Sequence, residues 1–176
     1  GEARFTLLEA DDSVTTVGLL RDVSDRQSRE DLLRRLHEST RELMAAGTTA
    51  AAADVAVRLF FEHFDVATVG VRLLRDGELE MVSVATDDDR TVEAFPTMRV
   101  GEGFIGEAYE AGEPVVHDDV SDLEAVGGSR PARSAMLFPI EGVGMINVSA
   151  SEPDVFDAVD RELGRLFVAS AEVAFE

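Results

Sequence analysis

The chain has 176 residues with 36 Asp and Glu against 16 basic residues, all of them Arg, for a formal net charge of −20. So acidic a surface repels phosphate backbones, which disfavours direct nucleic-acid binding. The absence of Cys and Lys removes disulfides, thiolate metal sites, thioether-tethered cofactors, Schiff bases and Walker-type phosphate loops.

At 45% hydrophobic and 30% charged residues, the composition supports a core rather than disorder. The length suits one domain with an attached segment. No apolar run is long enough to span a membrane and no signal peptide is visible, so the expectation is a cytoplasmic chain with no membrane segment. A start at Gly1 without Met predicts a piece of a longer chain. The acidity suits a halophile, whose molar salt screens repulsion between carboxylates. A GC-rich genome that replaces Lys by Arg is the alternative.

The alternating runs Phe5 to Leu8 and Val14 to Val23 around a polar turn predict a β-hairpin. From Ser24 the period changes. Leu32, Leu33, Leu36, Leu43 and Met44 fall at helical spacings and predict a helix over 25–46 that stops near Gly47. It serves either as an amphipathic helix packed on its own domain or as a connector pairing with its copy. A second helix is predicted from Ala50 to Phe64. Strands follow at Ala67 to Leu74 and Leu79 to Ala85, joined by Arg75-Asp76-Gly77-Glu78, where Asp-Gly is a strong hairpin signal. Further on come a short helix from Phe104 to Ala111, a short strand from Pro114 to His117, a loop over 121–133, a hairpin of Ser134 to Ile140 with Val143 to Ala150, and a closing helix from Asp154. Helices and hairpins in this order give an antiparallel sheet with helices on one side, an α+β sandwich.

Gly101-Glu102-Gly103-Phe104-Ile105-Gly106 fits G-x-G-x-x-G. The helix after it is too short for a dinucleotide crossover, Asp118-Asp119 arrives too early to be the ribose acid, and no second βαβ unit exists. Asp87-Asp88-Asp89 lacks the Gly and Glu of a calcium loop. His37, His63 and His117 form no i, i+4 pair, so no metal site is expected. No nucleophile elbow or metal-binding helix is present, and the chain is expected to be no enzyme.

Arg99 to Val116, with Asp119-Val120-Ser121 after it, resembles the middle of a GAF domain. The segments Ser134 to Ile140 and Gly144 to Val148 are similar to that family's central hairpin, and Phe156, Asp157 and Asp160 to the start of its closing helix. The resemblance covers 47–176 and implies a GAF-like fold. The hairpin of 1–24, ending in Asp22-Val23-Ser24-Asp25-Arg26, is similar to the end of a PAS domain, with 25–46 as linker helix. Together they resemble haloarchaeal PAS–GAF sensor proteins. That implies a non-catalytic module of a two-component or transcriptional regulator, whose output domain is a helix-turn-helix or histidine kinase.

Cysteine-dependent bilin attachment and redox catalysis in this family are closed to the chain, as is the Lys-containing cyclic-nucleotide motif, so the cofactor is left unassigned. The family's pocket lies between the sheet and the segment covering it. By that resemblance Phe95, Phe104, Tyr109, His117, Arg133 and Met136 are candidates to line it, with core packing or surface charge as their alternative. A homodimer is expected through Leu32, Leu36, Leu43 and the C-terminal helix. A receptor domain with a true pocket for haem or a metabolite is the other reading.

Overall fold

The computed structural model describes residues 4–10, 13–19, 34, 37–64, 66–88, 90–123 and 132–175. The chain divides into two compact units, Gly1–Glu38 and Ser39–Glu176. In the first, β1 (Arg4–Ala10) and β2 (Ser13–Leu19) pair antiparallel with Ala10 opposite Ser13. The expected exit motif at 22–26, and Leu32 and Leu36, lie outside the described residues.

The second unit opens with helical residues 39–45 (α1) and continues into α2 (Thr49–His63). Thr48 caps α2, its hydroxyl accepting the Ala51 amide at 3.2 Å. A six-stranded antiparallel sheet follows in the order β5-β4-β3-β8-β7-β6. Its strands are β3 (Thr68–Arg75), β4 (Glu78–Thr86), β5 (Met98–Arg99), β6 (Val115–His117), β7 (Ser134–Ile140) and β8 (Gly144–Ala150). Between β5 and β6 runs α3 (Gly103–Ala111), and α4 (Ala158–Phe175) closes the unit. The expected α+β sandwich is therefore present, with the long helices on one side.

Those helices share one core. Phe60 of α2 stacks on Phe64 at 5.6 Å and meets Phe138 of β7 and Phe167 of α4 at 6.2 and 5.3 Å. Thr40 of α1 donates to Ser170 of α4 at 3.0 Å, and Arg58 of α2 pairs with Glu42 of α1. Leu43 is buried within the unit rather than left for a partner copy. The closing helix starts four residues later than expected because Asp157 caps it: its Oδ1 accepts the amides of Val159 and Asp160, and Asp160 accepts the amide of Asp157 in return.

The short α3 lies across the opposite face, where Ile105 and Ala108 pack on Leu79, Leu137 and Met145. The glycine motif sets this crossing. Gly101 takes φ +79 at the turn, and a Cβ on Gly106 would stand 2.1 Å from the Arg99 carbonyl oxygen. The glycines thus serve a turn and a close helix–backbone approach. Among the described residues every sheet pairing is antiparallel, so the parallel crossover of a dinucleotide fold has no place here.

Candidate functional site

Pairing register decides which side chains share the α3 side of the sheet. Ser83 of β4 reaches the helical side and donates to Asp54 of α2 at 2.6 Å. A bulge at Val71/Arg72 then shifts the parity of β4, so Met81 pairs with Arg72 and turns to the α3 side. One row on that side runs His117, Ala135, Ser149, Thr68, Thr86, and the next runs Val115, Leu137, Asn147, Gly70, Val84. Small and hydroxylic residues dominate the middle of this strip.

Both ends are held by fixed contacts. At the β6 end, Phe104 meets His117 edge to face at 5.7 Å. At the β4 end, Arg90 donates to both oxygens of Asp88, at 2.8 and 2.7 Å, and to the Thr68 hydroxyl at 2.9 Å, while Phe95 lies 5.1 Å from its guanidinium. The Arg90 guanidinium holds the Asp88 carboxyl down at about 2.

Two polar side chains are buried between these ends. Arg72 is only 1% exposed and donates to the backbone oxygens of Leu79 and Pro96, at 3.1 and 2.7 Å, while its Nε has no partner. Burial pushes its pKa down to about 10, which leaves it charged at neutral pH. Asn147 is 9% exposed with its Oδ1 unpartnered. Groups so buried cost stability when left unsatisfied.

Of the six expected pocket residues, the structure brings Phe104 and His117 together and puts Phe95 at the far end of the same strip. Tyr109 packs on the α3 cluster and accepts the Gly142 amide at 3.2 Å, clamping the β7–β8 turn. Arg133 pairs with Asp119 at 3.0 Å, and that guanidinium holds the Asp119 carboxyl well below the usual carboxylate range. Met136 is fully buried on the helical side, since it pairs with Val148 and lies two residues from Phe138. Arg72, Met81 and Asn147 were missed. The signal for two of them was polarity inside apolar strands, an Arg in Val69-Gly70-Val71-Arg72-Leu73 and an Asn in Met145-Ile146-Asn147-Val148, whereas Met81 carried none.

The family model described as GAF domain matches residues 27–176. The chain belongs to the GAF domain family. Members are generally sensory or regulatory modules and often dimerise. No curated protein matches the chain. Among solved structures, the chain resembles the GAF domain of an Acinetobacter phosphoenolpyruvate-protein phosphotransferase at 14% identity, with a TM-score of 0.72 over 81% of this chain and 91% of that one. It also resembles fRMsr of Staphylococcus aureus at 18% identity, with a TM-score of 0.70 over 82% and 95%. Free methionine-R-sulfoxide reductase from Neisseria meningitidis is 20% identical, with a TM-score of 0.68 over 88% and 92%.

These matches correct one expectation. The same fold is a reductase in two of these proteins, so this GAF domain is not classed as a non-enzyme. The sequence argument looked for nucleophile elbows and metal-binding helices, which belong to other folds, and its lack of Cys bears on thiol chemistry alone. The PAS likeness of the first hairpin and the haloarchaeal likeness have no counterpart among the matches. Among the described residues, no helix is long and apolar enough to cross a membrane.

Proposed function

We propose that this GAF domain is a sensory and signal-transducing module of a larger two-component or transcriptional regulator, with the α3 side of its sheet as the receiving face and the helical side as the transmitting one. The observation that carries the reading is the β4 bulge. It places Met81 against the polar strip and Ser83, two residues on, in a 2.6 Å hydrogen bond to Asp54 of α2. A molecule or neighbouring domain that moves Met81 therefore pulls on α2 through a single short stretch of strand. Two states of the α2 and α4 packing would carry the signal to an output domain.

A homodimer fits this relay. Val159, Leu166 and Val173 of α4 are 60%, 40% and 55% exposed and recur every seven residues, the repeat of a helix that packs on another helix. The proposed contact thus keeps the C-terminal helix and drops Leu43, which is buried, while Leu32 and Leu36 lie outside the described residues. Hydrogen exchange tests the relay itself. Met81→Ala, which empties the strip side of the bulge, is expected to change amide protection in α2 as well as in β4. A change confined to β4 and β3 would contradict it.

A further inference from the structure

We infer that the outer face of α4 is an antiparallel seam between two copies of this chain, in which Leu166 packs on the partner's Ala169 and Arg165 pairs with the partner's Glu172. The inference rests on the homodimer reading above and adds the orientation and register that the reading leaves open.

At about 100° per residue, Val159, Glu162, Leu166, Ala169 and Val173 fall within an arc of about 80° on α4. All five are exposed, while the buried Gly164, Phe167, Val168, Ala171 and Phe175 occupy the other side. Among the described residues, three of the four exposed large hydrophobic side chains lie in this arc. Apolar exposure so concentrated marks a contact face. The alternating steps of three and four residues are those of a two-helix seam, with Val159, Leu166 and Val173 at one position of the repeat and Glu162 and Ala169 at the other.

Two orientations are open to such a seam, and its residues separate them. In a parallel pair each position meets its own copy. Glu162 would then face Glu162 inside the seam, a costly meeting of like charges, and Ala169 would face Ala169 and leave a gap. In an antiparallel pair the first position meets the second. Leu166 then packs on the partner's Ala169, a large side chain against a small one, and does so twice by symmetry. Glu162 lies opposite the partner's Val173 towards the end of the seam, still beside its own Arg165 at 3.8 Å. The same register sets Arg165 next to the partner's Glu172 along one flank, where both residues are exposed. The other flank is taken, since Ser170 there accepts from Thr40 of α1 at 3.0 Å. The face is therefore complementary to itself in charge as well as in shape, as a two-fold contact requires.

Cross-linking tests the orientation, because the chain has no Cys of its own. The two-fold axis falls between residues 167 and 168, which sets the two copies of residue 162, and likewise those of residue 173, about 16 Å apart along the seam. A disulfide needs Cα atoms about 4.4–6.8 Å apart. Copper-phenanthroline oxidation is expected to link the Glu162→Cys/Val173→Cys double variant into covalent dimers and to leave each single variant unlinked, with light scattering finding a dimer in all three. Covalent dimers from a single variant, or a dimer in which the double variant does not link, overturn the inference and leave the homodimer reading standing. A monomer throughout, wild type included, overturns both. Glu172→Arg is a second measure that needs no cysteine. It makes the chain less acidic, which by itself favours association. The seam predicts the opposite at low ionic strength, about a threefold rise in the dimer dissociation constant, because the new arginine faces the partner's Arg165, and adding Arg165→Glu reverses it. An unchanged or tighter dimer in Glu172→Arg overturns the inference.

Discussion

Gly106→Ala separates a glycine that packs from one that cradles a ligand. The added Cβ would lie 2.1 Å from the Arg99 carbonyl oxygen and 3.1 Å from the Gly101 nitrogen. Comfortable contacts begin near 3.5 Å, so α3 must retreat by about an ångström. That retreat stretches the hydrogen bond from the Gly101 amide to the Gly106 oxygen, 3.0 Å long and worth about 1 kcal/mol. It also carries an overpacking cost of about 1–3 kcal/mol. Alanine's better helix propensity returns about 1 kcal/mol and offsets the lost bond. The net loss is about 1–3 kcal/mol, which for a chain of this size lowers Tm by about 2–12 °C. Thermal melts and urea titrations read it directly. A variant stabilised by about 1 kcal/mol, as a freely exposed helical glycine would give, refutes the close-approach account.

Three other outcomes follow from particular contacts. Phe60→Ala empties the centre of the aromatic cluster between α2, β7 and α4, and is expected to cost about 3–5 kcal/mol in urea titrations at unchanged fold. Asp88 titrates far below an ordinary carboxyl, at about 2. A carboxyl depressed in the folded state contributes stability that is fully present above its unfolded value, so the Asp88 share is complete above about pH 4 and fades towards about pH 2. Carboxyl carbon-13 shifts should show this, and should show Asp88 moving back towards the ordinary range when Arg90 is changed to Gln. Leu166→Glu places a charge in the exposed α4 stripe, and light scattering at high salt is expected to find a dimer in the wild type and a monomer in the variant.

Much of the frame was legible because local signals agreed with each other. The turn at Asp76-Gly77 takes positive φ at both residues, 52° and 82°, the type of two-residue hairpin that Asp-Gly favours. The strand Ser134 to Ile140 has the expected bounds, and the Gly101 to Gly106 run marks a turn and a close packing. The site was harder to read because facing depends on pairing register. The burial of β7 and β8 is nearly continuous, so no alternation shows that Met136 belongs with the helices while Asn147 belongs with α3. The bulge has no local signature in Glu80-Met81-Val82-Ser83, and only tertiary pairing reveals that Met81 and Ser83 face opposite ways. Arg133, a pocket candidate by the family resemblance with surface charge as its alternative, is taken into an ion pair by Asp119, two residues beyond β6. Catalysis was misjudged for a different reason, since motif searches built on other folds say nothing about what this one can carry.

The central claim is that the two faces of the sheet are mechanically coupled. The chain has no Cys, so spin labels can be placed at will by single substitutions. Ala50→Cys in α2 and Glu172→Cys in α4 are both on exposed positions, and their separation is measurable by pulsed electron resonance. Combined with Gly70→Ala, which wedges a methyl group against Met81 and Asn147 on the opposite face, the account predicts a displaced or broadened distance distribution between the two helices. A distribution that matches the unwedged protein would contradict it.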